Sequence, residues 1–220
     1  MKLRHSLVLL PLLGTGTLCA SVAFDFSSFG SALISFQGTG DTLQFTHDFS
    51  GFDFRITNAG DPGLNGMLGR IDGTFTIGPI STVGSVQEAP ITGFGQLMIA
   101  NGTAVPFTAK LAWSSILTIG TAGVLNPPGA FNLSDFSYHG TNASLQSLAT
   151  NTMGVDTVSF QFLPVASLSQ LTLDGTTHFT TFSGSISAVP EPAFFAALMG
   201  AAALLAVVTA RRRAAPAMAA

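Results

Sequence analysis

Cysteine is nearly absent from this 220-residue chain, because Cys19 is the only one. A disulfide within the chain is therefore excluded, and any folded domain must depend on its hydrophobic core. Residues 24–187, which lie between two apolar ends, are long enough for such a core. A domain of about 150 residues buries roughly 70% of the surface that its unfolded chain exposes.

Charged side chains are also scarce and make up 9% of the chain. Residues 24–187 contain three basic side chains, Arg55, Arg70 and Lys110, against ten acidic ones, which gives this segment a net charge of −7. A nucleic-acid partner is excluded on this basis, because phosphate binding requires a basic surface.

Residue patterns that indicate an enzyme are also missing. No Gly-x-Ser-x-Gly sequence offers a serine nucleophile, and Glu88 is the only glutamate of residues 24–187. The histidines of that segment, His47, His139 and His178, lack the spacing of a metal-binding pair. We therefore predict no catalysis and no cofactor. A hydrolase that pairs two aspartates is the least favoured alternative.

Calcium is the one metal for which the sequence offers candidate ligands, although no metal site is predicted. Several aspartates lie in the first half of the chain among loop residues, and Ca²⁺ prefers carboxylate and carbonyl oxygens. No Asp-x-Asp-x-Asp loop accompanies them, so turn capping explains them equally well. These residues are Asp41, Asp48, Asp53, Asp61 and Asp72.

Phenylalanine, by contrast, is abundant, and seventeen of its nineteen copies lie in residues 24–187. Apolar and polar residues alternate in Phe52–Ile56 and in Val158–Phe162, which is the period of a strand with one buried face. Glycine and proline interrupt the segment at short intervals. We predict an all-β body over residues 24–187, folded as an antiparallel β-sandwich or jelly roll.

Turn dipeptides predict three hairpins in this body, at Asn101-Gly102, Asp174-Gly175 and Asp72-Gly73. Pro106 should weaken the strand after the first of these turns. Other segments are predicted from turn chemistry and helix propensity. The first hairpin would join residues 91–100 to residues 103–113, and the second would join residues 168–173 to residues 176–183. Residues 61–66 and 126–129 are predicted to be exposed loops. Residues 141–149 are predicted to form a helical turn.

Trp113 and Tyr138 are the only tryptophan and tyrosine. Exposed aromatic rings of this kind stack on sugars, whereas buried ones fill a core, and the core is the favoured interpretation of both.

The first 23 residues predict a secretory signal peptide. Lys2 and Arg4 precede the apolar run Leu7–Leu13, and small residues follow it. Cleavage is predicted after Ala20 or after Ala23. Either site places the body outside the cytoplasm.

A second apolar segment lies near the C-terminus. Residues 193–210 contain no charge and no proline, and a helix of this length spans roughly 27 Å, close to the hydrocarbon thickness of about 30 Å. We predict a transmembrane helix here. Arg211, Arg212 and Arg213 follow it and should stay cytoplasmic, and residues 214–220 form a short tail.

Val189-Pro190-Glu191-Pro192, the apolar span and the arginine cluster, in this order, resemble the PEP-CTERM sorting signal of Gram-negative bacteria. The predicted signal region is residues 188–213, and the resemblance covers residues 189–213 of it. It implies that the four motif residues are recognised by an exosortase-type processing enzyme, with the secretion machinery as a further partner. It also implies an inner-membrane intermediate, followed by release to the cell surface or extracellular matrix.

The sequence therefore favours a non-catalytic structural or adhesive protein of the cell envelope or of an exopolysaccharide biofilm matrix. A carbohydrate-binding module on the same β body is the alternative. Exopolysaccharide is a candidate partner in both cases.

Overall fold

The computed structural model describes residues 22–100, 105–127, 130–189 and 200–205. The described residues between 22 and 189 form fifteen strands, helices α1 (Ala143–Ala149) and α2 (Leu168–Leu171), and a 3₁₀ helix at Pro62–Leu64. The strands are β1 Ala23–Ser28, β2 Ile34–Gln37, β3 Thr42–Phe45, β4 Phe54–Ala59, β5 Leu68–Ile77, β6 Ser81–Val83, β7 Val86–Thr92, β8 Gly95–Ala100, β9 Phe107–Leu111, β10 Ser115–Ile119, β11 Ala122–Leu125, β12 Leu133–Ser137, β13 Met153–Gln161, β14 Thr177–Thr180 and β15 Phe182–Val189.

The predicted all-β class is confirmed, and the described strands pair antiparallel throughout. The alternation read from the sequence corresponds to real faces. In β13, Val158 and Phe160 are buried whereas Ser159 is exposed, and in β4 Arg55 is exposed between buried Phe54 and Ile56.

The pairing path closes on itself, because β12 contacts both β9 and β13. It runs β1-β4-β5-β8-β9-β12-β13-β15 and returns to β1. A smaller layer of β14, β2 and β3 joins the second half of β5. This smaller layer packs across the core from β13 and β15, so the arrangement resembles a β-sandwich.

The hydrophobic core lies between the two layers and is rich in phenylalanine, leucine and isoleucine. Phe36 of β2 contacts the ring of Phe160 of β13 at a centroid distance of 5.2 Å. Phe45 of β3 contacts Phe182 of β15 at 5.0 Å. The abundance of phenylalanine in the sequence thus corresponds to aromatic contacts across the layers.

The predicted turn at Asp72-Gly73 is wrong, because β5 continues through it. Residues 68–73 pair with β8, and from Thr74 onward β5 pairs with β3 and β7. Gly73 has a φ of 137°, and a Cβ there would lie 2.8 Å from the Cα of Gly95. Glycine therefore lets the strand bend into the second layer, which explains the turn-like dipeptide.

The hairpin predicted around Asn101-Gly102 is confirmed only as a pairing of β8 with β9. The predicted first strand, residues 91–100, is wrong at its start, because residues 91–92 belong to β7. The register places Ile99 opposite Phe107, so the connection is longer than a two-residue turn. Residues 101–104 lie outside the described part. As expected from Pro106, the second strand begins only at Phe107.

The hairpin predicted around Asp174-Gly175 is wrong. Residues 168–171 form α2, in which Ser167 and Gln170 make a capping box and Leu168 and Leu171 are buried. The following strand, β14, pairs with β2 instead. The capping signal and the two leucines at i, i+3 therefore outweigh strand propensity.

The helical turn predicted at residues 141–149 is confirmed as α1, capped by the Asn142 side chain on the N–H of Leu145. The loop predicted at residues 61–66 contains the 3₁₀ helix. Leu64 within it is fully buried, which corrects the expectation of an entirely exposed loop.

The first and last strands of the body are neighbours. Ala23 pairs with Ser187, and the carbonyl of Val22 accepts a hydrogen bond from the N–H of Ala188 at 2.8 Å. Val22 also packs against the core. The described chain therefore enters and leaves the body at the same end of the sheet.

Within the predicted span 193–210, the structure describes residues 200–205, which are helical and exposed. In the described part of the chain, no helix has the length and apolar character needed to cross a membrane.

Candidate functional site

The predicted sorting residues lie mostly outside the described residues. Val189 is the last residue of β15, and Pro190, Glu191, Pro192 and the arginines at 211–213 come after it. Of the two predicted cleavage positions, Ala20 is outside the described part, whereas Ala23 is the first residue of β1.

Trp113 is a core residue, so its predicted alternative role in sugar stacking is wrong. Its side chain is 3% exposed and contacts Phe45 and Phe75 at centroid distances of 6.4 and 6.2 Å. Its indole Nε1 is buried without a hydrogen-bond partner among the described residues.

Tyr138 is half-buried and packs against the core. Its hydroxyl accepts a hydrogen bond from the N–H of Asn142 at 3.1 Å, which ties it to the start of α1. A Cβ on Gly140 would collide with the ring, so the loop passes closely over it. Neither predicted aromatic therefore forms an open platform.

The structure assembles one charged cluster that sequence spacing did not reveal. His47, which follows β3, bonds through Nδ1 to the carboxylate of Asp53. Its Nε2 lies 3.3 Å from Oδ1 of Asp72 on β5, and Asp72 also pairs with Arg70 at 2.8 Å. One imidazole thus bridges two carboxylates.

Asp53 is the buried member of this cluster and has no exposed surface. Burial raises the pKa of Asp53 to about 6; the hydrogen bonds from the Ile71 N–H and from His47 oppose this shift, and the charge of Asp72 adds to it. The Ile71 N–H donates to its Oδ2 at 2.6 Å.

The geometry suits a structural ion network better than a hydrolase. Two carboxylates do converge, as the hydrolase alternative requires, but both bond to the same imidazole and leave no gap for a glycosidic bond. Asp53 is also inaccessible to a polymer.

The aspartates considered for calcium do not converge on one site: Asp53 and Asp72 are joined only through His47. Asp48 accepts from Ser50 and Phe52 within its own turn, and Asp61 caps the 3₁₀ helix. Among the described residues, no group of three or more histidine, cysteine or acidic side chains could hold a metal ion.

A second buried polar group lies on β13. Asp156 is fully buried, and neither carboxyl oxygen has a hydrogen-bond partner among the described residues. Burial raises its pKa well above the ordinary value. Its backbone, by contrast, is bonded to the side chains of Asn126 and Asn132.

Asn126 was predicted to lie in an exposed loop, and this is wrong. It is fully buried, with a φ of 54°. Its amide donates to the carbonyls of Ala130 and Asp156 and accepts from the Ser114 hydroxyl. Asparagine tolerates this left-handed conformation, so the residue type follows from the buried turn.

The outer surface of β1, β15 and β13 is rich in hydroxyl groups. Ser27 lies opposite Ser183, which lies opposite Ser159; in the next row Asp25 lies opposite Ser185 and Ser185 opposite Thr157. We call these six residues the hydroxyl face. Two clefts of about 590 and 370 Å³ adjoin it, and both are lined by Ser27, Ser159 and Ser183.

Comparison of the chain with protein-family models, with curated proteins and with solved structures yields no match. Function must therefore be inferred from the chain's own residues.

Proposed function

We propose that this is a non-catalytic structural or adhesive protein of the cell envelope or exopolysaccharide matrix, exported and sorted through a PEP-CTERM signal. Residues 193–210 would hold it in the inner membrane, with Arg211–Arg213 in the cytoplasm. The antiparallel β-sandwich body would face outward until an exosortase-type enzyme processes the tail. The observation that carries this proposal is the sequence of residues 189–213, in which the Pro-Glu-Pro motif, the apolar span and the arginine cluster follow one another.

The body supports this assignment through its position relative to the tail. β15 ends at Val189, the first residue of the motif, so the last strand leads into the signal without a spacer. Its partner β1 begins at Ala23, close to the predicted cleavage positions at Ala20 and Ala23. Both membrane-directed segments would then leave the body at one end.

The test is cell fractionation with intact mass, using the native chain beside Glu191→Ala. The native protein should be found outside the inner membrane without residues 211–220. Glu191→Ala should accumulate in the inner membrane at full C-terminal length. Glu88→Ala, an exposed glutamate of β7, is the matched control and should be processed normally. Retention of residues 211–220 in all three proteins would overturn the sorting proposal.

A further inference from the structure

We propose that the hydroxyl face binds an uncharged polysaccharide chain. This rests on the proposed matrix location and adds to it a surface and a ligand class. Trp113 and Tyr138, the aromatic candidates for sugar stacking, are used by the fold for packing. The hydroxyl face is a different surface.

The first argument is the regular arrangement of donors and acceptors. The row Ser27, Ser183 and Ser159 continues through register partners to Arg55 on one side and Val124 on the other. Neighbouring strands lie about 4.8 Å apart, so these five positions span about 19 Å. A row of this length matches an extended chain better than a single sugar.

The second argument is that these hydroxyls are available. Ser159, Ser183 and Ser185 are exposed, and Ser27 is half-buried. The fold does not use them, since none of the four has a side-chain hydrogen bond to another described residue. Serine on a paired strand loses little freedom on binding, which favours hydrogen bonds to sugar hydroxyls.

The third argument is charge. Around the serine rows the only ionic side chains on β1, β4, β13 and β15 that reach the surface are Asp25 and Arg55, which carry opposite charges. The body as a whole has a net charge of −7. An anionic polymer would therefore be repelled, and a neutral one would not.

The fourth argument is the lack of a hydrophobic centre. Among the described residues, the only exposed large apolar side chain on β1, β4, β11, β13 or β15 is Met153, at the start of β13 and away from Ser159. Protein interfaces usually contain a buried apolar core. A polyol, which bonds through many weak and similar contacts, fits this surface better than a protein does.

The two clefts indicate how a chain would lie. Because both are lined by Ser27, Ser159 and Ser183, the serine row forms their common wall. A chain along the row would contact both clefts. Val124 at its end offers an apolar contact for the C–H groups of a sugar ring.

The experiment is co-sedimentation of the purified full chain with cellulose as a neutral polymer, and affinity electrophoresis with dextran and alginate. The native protein should bind at least one neutral polymer and not alginate. Ser159→Glu combined with Ser183→Glu should weaken that binding at least about tenfold, which corresponds to losing one or two hydrogen bonds. The double variant Ser159→Ala with Ser183→Ala, which introduces no charge, should weaken polysaccharide binding less than the double glutamate variant does.

The matched control is Thr76→Glu with Thr92→Glu, an exposed cross-strand pair at the junction of β5 and β7. It should bind like the native chain, and Trp113 fluorescence reports whether each variant is folded. Binding that is unchanged in folded serine variants would overturn the proposal, as would binding to alginate alone or to none of the three polymers. Sorting is measured separately by cell fractionation. A failure to bind polysaccharide can therefore be distinguished from a failure of the sorting proposal.

Discussion

The side-chain amide of Asn126 donates a hydrogen bond to the backbone carbonyl of Asp156 at 2.9 Å. This contact joins the turn after β11 to the middle of β13. Asn132 makes a second bond to the same carbonyl at 2.9 Å and accepts from the Asp156 N–H at 2.6 Å. Two buried asparagines thus satisfy the backbone where β13 passes from one partner strand to another.

Removing Asn126 should be strongly destabilising. Asn126→Gly keeps the left-handed backbone but loses the side-chain bonds, and should lower the free energy of unfolding by about 3 kcal/mol. Asn126→Ala should lose about 1 kcal/mol more, because alanine is strained at this φ. Urea unfolding followed by Trp113 fluorescence measures both. Equal stability of the two variants would contradict the backbone contribution.

Asp156→Asn should stabilise the protein at neutral pH. The raised pKa means that the native state holds a proton that the unfolded state releases above pH 3.8. Native stability should therefore fall as pH rises from about 4, with a slope of up to about 1.4 kcal/mol per pH unit from this group. The asparagine variant should show a flatter curve in urea unfolding between pH 4 and pH 8. If Asp156→Asn stabilised the protein as much at pH 4 as at pH 8, the stabilisation would not come from the ionisation of buried Asp156.

Asp53 should contribute a separate pH dependence with the same sign. Its pKa of about 6 lies above the unfolded value, so its contribution is fully present below about pH 4 and declines as pH rises to about 6. His47→Gln should destabilise the protein by about 1–3 kcal/mol at pH 8, where ionised Asp53 needs its partner. The loss should be smaller at pH 4. His139→Gln is the control, and its stability should follow the native curve at both pH values.

Gly73→Ala should destabilise the protein by about 1–3 kcal/mol, because a side chain is strained at this φ and meets the backbone of Gly95. Gly66→Ala provides a comparison, since its φ is also positive but a Cβ there meets no atom within 4 Å. It should show only the smaller conformational cost. A Gly73→Ala variant as stable as Gly66→Ala would show that the strand bend does not require close backbone approach.

Signal-peptide cleavage should occur after Ala20. Cleavage after Ala23 would remove Val22, whose carbonyl bonds to Ala188, and the pairing of Ala23 with Ser187. Mass spectrometry of the exported protein should therefore give Ser21 as the first residue. Ala20→Leu should block processing, and Ala23→Leu should leave it intact. A mature chain that begins at Phe24 would contradict the prediction.

The sequence was sufficient to predict local strand character, because burial on one face imposes a two-residue period that needs no knowledge of partners. The pattern in Val158–Phe162 is an example. The pairing of strands was harder to predict. An Asp-Gly dipeptide indicates an unusual backbone conformation, but it does not show whether that conformation forms a hairpin turn, a strand bend or the end of a helix. Asp72-Gly73 bends a strand, and Asp174-Gly175 follows a helix that a capping box had specified.

The charged cluster could not be predicted from spacing. His47 and Asp53 flank one turn, but Asp72 reaches them only because β5 pairs beside β4. The burial of Trp113 was the favoured interpretation, since aromatic residues in a phenylalanine-rich body usually fill its core. The hydroxyl face was missed because serine carries no strong local signal, and the rows exist only in the register of three strands.

The neighbouring positions of β1 and β15 have a consequence for the timing of folding. A chain that crosses a membrane from its N-terminus delivers β15 last, so β1 must wait for its partner through nearly the whole body. Such non-local pairings form slowly. Under the proposed function the motif at residues 189–192 would follow at once, so the sheet would close only as the proposed sorting signal arrives. Completion of the fold and exposure of the tail to its processing enzyme would then be simultaneous events.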